Sequence, residues 1–252
     1  MSAAYAGPFE DGVAAYRKNN YVVAMEKLKQ VQGHETAQLL IAIMYGAGMG
    51  VVQDDAEVVK WYKLSAAQGY APAQSNLGMN YEHGLGVVQD HAEAVKWYKL
   101  AAAQGDATAQ GYLGFMYDRG KGVVQDYAAA AKWYRLAVAQ GKMFAQLHLG
   151  LMYYDGLGVL QDYAETAKLW KLAAAQGHLG AQNNLSLLYK NGQGVVKDYA
   201  RSHMWSNLAA VKGDANAVKN RNVVAEMMNP QQIAEAQNLA RECQSRNYQN
   251  CD

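Results

Sequence analysis

The sequence predicts an all-α solenoid of stacked two-helix repeats, and three observations carry that prediction. A glycine closes a unit at Gly69, Gly105, Gly141, Gly177 and Gly213, each 36 residues from the last. A Gly-x-Gly stands mid-unit as Gly48/Gly50, Gly84/Gly86, Gly120/Gly122, Gly156/Gly158 and Gly192/Gly194, at the same interval. A tryptophan recurs as Trp61, Trp97, Trp133 and Trp205, while the fourth copy carries Leu169 with Trp170 one position later. A fixed period without insertions is what units that stack only on their neighbours leave in a sequence. The units read 34–69, 70–105, 106–141, 142–177 and 178–213, flanked by 1–33 and 214–252.

Each unit divides into two helices, shown here on the second copy. The first spans about 71–82, with Ala73, Leu77, Gly78 and Tyr81 on one face at helical spacing. Gly84 ends it and Gly86 turns the chain back. The second helix starts after Asp90, whose carboxylate accepts from a free backbone N–H while Glu93, three residues on, completes a capping box. Asp54/Glu57 and Asp162/Glu165 repeat the pair; Asp126 and Asp198 are followed at that position by Ala129 and Arg201. Ala94, Trp97, Leu100 and Ala101 are expected to face inward, and burying one such tryptophan stabilises by about 2–3 kcal/mol. Small residues beside it, Ala66, Ala102 and Ala174, let helices approach closely.

The ends depart from the period. Residues 1–7 read as a flexible leader, and Pro8 stands where a helix can begin without losing an intrahelical bond. Val13, Ala14 and Tyr16, then Tyr21, Ala24, Met25, Leu28 and Val31 after the Asn19-Asn20 turn, make a degenerate helix pair that caps the array. Beyond Gly213, Asp214 caps a helix containing Ala217, Val218, Val223, Val224 and Met227. Asn229-Pro230 opens a last helix with Ile233, Ala236, Leu239, Ala240 and Cys243 on one face.

Composition excludes several classes. Lys+Arg 23 against Asp+Glu 22 leaves a net charge of +1 with no basic block, so nucleic acid is not expected as a partner. No apolar run approaches the ~20 residues that span a bilayer, and the expectation is a soluble chain with no membrane insertion. The start, Met1-Ser2-Ala3-Ala4-Tyr5-Ala6, has neither a basic n-region nor an apolar h-region. An export signal either never existed or has been removed. Cys243 and Cys251, a nearby pair in a chain with no other cysteine, fit one disulfide in an oxidising compartment; two free thiols in a cytoplasmic protein are the alternative.

Catalytic patterns are missing. The Gly-x-Gly lacks the third glycine of a dinucleotide loop and follows a helix, which makes it a turn. Among His34, His83, His91, His148, His178 and His203 no two are spaced i, i+4, so no metal is expected and surface or turn positions are the default. No Gly-x-Ser-x-Gly occurs. The reading is no catalytic residue and no cofactor.

Three motifs stand as Ala109…Gly114…Tyr117, Gly120-Lys-Gly-Val123…Asp126 and Lys132-Trp133-Tyr134…Gly141, and the pattern covers about 180 residues in five copies. They resemble the Sel-one-like repeat family, relatives of the tetratricopeptide repeats. The fifth copy departs from the pattern with Ser186, Lys197 and Ser206. The resemblance implies a right-handed α/α superhelix whose concave face binds other proteins, and export to the periplasm or outside is common in bacterial members. It also brings a β-lactam hydrolase as an alternative, though no residue here can be assigned to that reaction; a self-associating structural protein is a third reading.

By the tetratricopeptide analogy the first helix of each unit lines the groove. Two residues after the repeating leucine come Ile43, Met79, Phe115, Leu151 and Leu187, an apolar ridge. Phe144, Leu147 and Tyr154 join it in the fourth copy, and Glu82, His83, Asp118, Arg119, Asp155 and Lys190 form a charged rim. An apolar patch rimmed by charge suits a partner protein or peptide. The competing reading places the ridge in the core. The expectation is a monomeric, non-catalytic scaffold.

Overall fold

Helices account for all the regular structure that a computed structural model describes, which covers residues 7–251. The predicted leader falls outside this range except for Gly7. The chain divides into two units, Met1–Gln125 and Asp126–Asp252. The first holds α1 (Pro8–Arg17), α2 (Tyr21–Gln30), α3 (Glu35–Ala47), α4 (Asp55–Ala67), α5 (Ala71–His83), α6 (His91–Ala103) and α7 (Ala107–Arg119). The second holds α8 (Tyr127–Ala139), α9 (Met143–Asp155), α10 (Tyr163–Ala175), α11 (Leu179–Asn191), α12 (Tyr199–Val211), α13 (Ala215–Ala225) and α14 (Pro230–Ser245).

Caps set the helix boundaries. Asp90 accepts from the N–H groups of Ala92 and Glu93, and Asp54 and Asp162 do the same on α4 and α10. The predicted capping boxes are only half formed. Glu57 does not reach back; it accepts from Lys60 Nζ at 2.7 Å and Trp61 Nε1 at 2.9 Å, because both donors lie within one turn of it. The reciprocal box occurs instead at Asn229/Gln232, which opens α14.

Within the first unit three contacts recur and stack one repeat on the next. The loop after α5 touches the start of α4: a Cβ on Gly86 would collide with the Asp55 carbonyl, and Gly86 has φ +71°. Only glycine meets both demands. Glutamines pair across the helices, Gln68 donating to Gln38 at 2.7 Å and Gln104 to Gln74 at 2.8 Å. Lys63 and Lys99 lie over the rings of Tyr81 and Tyr117, 5.6 and 5.7 Å from their centroids. Ile41, Leu77 and Leu113 form the fully buried centre. Leu100 does not face inward as its spacing suggested. It is half exposed, because the turn that it occupies lies on the side of α6 away from α5 and α7.

The second unit repeats these contacts with substitutions. Gln176 pairs with Gln146 at 2.8 Å, and Arg135 and Lys171 sit over Tyr153 and Tyr189. Trp170 is not a displaced copy of the repeating tryptophan. It holds the position of Tyr98 and Tyr134, against Gly150, while Leu169 fills the tryptophan's place and is buried. In the fifth copy Ser186 and Ser206 replace glycine and aromatic together; Ser202 Oγ donates to the Ser186 carbonyl at 2.8 Å and Ser206 Oγ to that of Ser202 at 2.9 Å.

The C-terminal end closes differently from the repeats. α13 packs on α12 as the first helix of a sixth unit would, but α14 lies along α12 and does not pair with α13. Cys243 and Cys251 are joined in a disulfide. The short tail that it closes reaches α10, with Gln249 Nε2 donating to the Ala175 carbonyl at 2.9 Å.

Candidate functional site

The first-helix face of each unit carries the predicted site residues, and the structure sorts them by burial. In the first unit Met79 and Phe115 are half-buried, two residues beyond the core leucines Leu77 and Leu113. The ridge is therefore neither pure core nor free surface. One flank of each side chain packs against the stack and the other meets solvent. Arg119 and Lys121 place their cations 5.9 and 5.2 Å from the Phe115 ring centre, a geometry that holds charge beside an aromatic surface. His83 and Arg119 are exposed.

Two of the predicted rim residues are not on a rim. Glu82 is 3% exposed and Asp118 is 8% exposed. Glu82 turns toward α6, where the Tyr98 hydroxyl donates to it at 2.7 Å, and Tyr98 stacks on Tyr112 with centroids 5.5 Å apart. Burial, followed by the Glu82 carboxylate, drives the Tyr98 hydroxyl far above its ordinary range, so it stays a proton donor. Burial also raises the Asp118 carboxyl, against the pull of Arg119, whose Nε lies 3.3 Å away. Neither carboxylate is available to a partner as the sequence suggested.

In the second unit Phe144, Leu147, Leu151, Tyr154, Leu187 and Lys190 are all partly exposed, and Asp155 is exposed. Phe144 does not stand alone. His148, one turn along α9, lies 4.3 Å from it and stacks on Tyr134 at 5.6 Å. Tyr154 packs between Tyr163 and Trp170 at 5.3 and 5.6 Å. His148 was legible as the i+4 neighbour of Phe144; its stacking on Tyr134 was not, because that ring arrives from α8.

His203 corrects the reading of the histidines as surface or turn residues. It is 4% exposed, its Nδ1 has no hydrogen-bond partner, and burial, then the nearby Arg221 charge, lowers its pKa. His34 and His178 do sit at turns, as helix N-caps. Among the described residues no three His, Cys, Asp or Glu side chains are grouped so as to hold a metal ion. No helix among them is long and apolar enough to cross a membrane. The arrangement is one that can bind, with aliphatic and aromatic surface edged by cations.

The sequence profile of the Sel1 repeat matches residues 36–70, 71–106, 107–142, 144–178 and 180–214. The chain belongs to the Sel1 repeat family. It is similar to a Sel1 repeat protein from Oxalobacter formigenes at 32% identity and a TM-score of 0.82, over 92% of this chain and 97% of that one. It is also similar, at 26% identity and a TM-score of 0.64, to c5321, described as a protective antigen of uropathogenic Escherichia coli with an SLR fold. That match spans 97% of this chain and 62% of the other. A putative Sel1 repeat protein from Klebsiella pneumoniae shares the fold at 16% identity and a TM-score of 0.51, over 86% of this chain and 100% of that one. No curated protein matches the chain in sequence. Sel1 repeat proteins are commonly scaffolds for protein–protein interaction, and this one is an all-α repeat solenoid of about five copies.

Proposed function

We propose that this Sel1 repeat protein is a non-catalytic scaffold that holds a segment of a partner protein against the first-helix faces. One observation carries the reading: Ile43, Met79, Phe115, Leu151 and Leu187 stay half-buried at a single repeat position whose neighbour two residues earlier is always core. A side chain anchored on one flank and open on the other is preorganised, so little ordering entropy is lost on binding. The partner is an extended or helical segment with apolar anchors, and its specificity comes from what varies at that position: Met79 and Phe115 in the first unit, Leu151 in the second. Anionic groups on the partner suit Arg119 and Lys121 beside Phe115. The Cys243–Cys251 bond favours an oxidising compartment, periplasmic or extracellular, and we take the working form to be a monomer.

The test is the Phe115→Asp/Leu151→Asp double variant. Partners captured from an envelope or secreted extract by the wild type should be absent from the variant, while its thermal midpoint falls only slightly. A midpoint far below wild type would place the ridge in the core and remove the basis of the reading.

A further inference from the structure

The second helices carry an outer face that this function leaves unused. Leu64 on α4 and Leu100 on α6 hold the same repeat position and are 45% and 51% exposed. Leu208 holds it on α12 and is fully buried. The position one turn earlier changes too, from exposed Lys60 and Lys96 to buried Met204. The difference is α14, which lies along α12 and joins Leu208 and Met204 in one apolar cluster through Ala240 and Cys243, with Leu239 at its edge. Small side chains let the two helices approach closely.

The chain thus displays, on its fifth copy, what this face accepts. On α4 the face borders an open cleft of about 440 Å³ lined by Val59, Lys60, Lys63, Leu64 and Val87. No described residue fills it. Its charge differs from that of α12. Lys60 and Lys96 replace Met204, each sharing a glutamate one turn back at 2.7 Å, and Lys63 and Lys99 are steadied over tyrosine rings without an ion pair among the described residues.

We propose that the outer face of α4 and α6 is a second docking surface and that it takes an amphipathic helix of a partner protein. That helix carries a stripe of small and aliphatic side chains, as α14 does, with carboxylates along its flanks to meet Lys63 and Lys99. The aliphatic stripe covers Leu64 and Leu100. The carboxylates supply orientation more than affinity, since exposed ion pairs contribute little.

A labelled peptide copying Asn229–Ser245, with Gln231→Glu, Gln237→Glu and Cys243→Ser, is titrated into the full-length protein and followed by fluorescence anisotropy. Saturable binding is expected, weakened about tenfold by Leu64→Glu/Leu100→Glu, roughly the loss of 1.4 kcal/mol. Lys63→Glu/Lys99→Glu should weaken it as well, and Phe115→Asp should leave it unchanged. If Leu64→Glu/Leu100→Glu alters the circular dichroism, Leu64→Gln/Leu100→Gln takes its place. Three results overturn the proposal: no saturation, loss of binding with Phe115→Asp, or loss only with Met204→Lys. The second would assign the peptide to the first-helix face, and the third to exchange with α14.

Discussion

The ring of Tyr98 occupies the space that a side chain on Gly78 would need. Its Cδ1 and Cε1 lie 2.7 Å from where a Cβ on Gly78 would stand. Trp170 bears the same relation to Gly150. At Gly78 and Gly150 the helix glycine leaves room for an aromatic ring that crosses from the second helix, and in the fifth copy both are exchanged together for Ser186 and Ser206.

That relation predicts that Gly78→Ala destabilises the fold. Alanine gains about 1 kcal/mol of helix propensity over glycine, but displacing a fully buried ring costs about 1–3 kcal/mol. A net loss is expected in urea unfolding, and it should shrink in a Tyr98→Leu background, where the ring is gone. Equal losses in both backgrounds would show that the ring is not what excludes the side chain.

The glutamine pairs predict a contrast along the chain. Gln104→Ala and Gln176→Ala each leave a buried amide oxygen, of Gln74 and Gln146, without its donor and should cost about 1–2 kcal/mol. In the fifth copy Lys212 stands where the donor would be, over the Tyr248 ring, and Gln182 Oε1 already lacks a partner. Lys212→Ala should therefore cost less than either glutamine change. Chemical denaturation of the three variants measures the difference, and equal costs would refute the pairing argument.

Two buried groups give opposite pH dependences. The His203 pKa lies below its ordinary 6.5, owing first to burial and then to Arg221. As pH falls below about 6.5 the unfolded chain takes up a proton that the folded histidine refuses, so stability declines until the folded pKa is passed. His203→Val, which restores the residue found at Val59 and Val95, should flatten that decline. The Asp118 carboxyl lies above its ordinary 3.8 through burial, so its contribution falls as pH rises from there through the folded pKa. Asp118→Asn should raise the thermal midpoint at neutral pH and have little effect near pH 3. Midpoints of both variants across the acid range decide the signs.

Much of the fold was legible because its determinants are local. Asp90, Gly84 and Gly105 mark helix ends through their own backbone chemistry, and the period of Leu77 and Leu113 marks the core. The shared register of Met79, Phe115 and Leu151 relative to those leucines was legible, because it is a property of one helix, and all three are half-buried. Exposure was misread at Glu82 and Asp118. A charged residue at the end of an apolar helix reads as exposed, and nothing within α5 announces the Tyr98 hydroxyl waiting on α6.

The sequence by itself determined the helices, their aspartate N-caps, the five repeats and the family, since each depends on contacts within a repeat or on a spacing repeated between copies. Only the tertiary structure decided which faces stay open. Leu100 and Leu208 hold the same repeat position, yet one meets solvent and the other lies beneath α14. Burial belongs to the neighbour that covers a side chain, and that neighbour is chosen by the packing of distant segments.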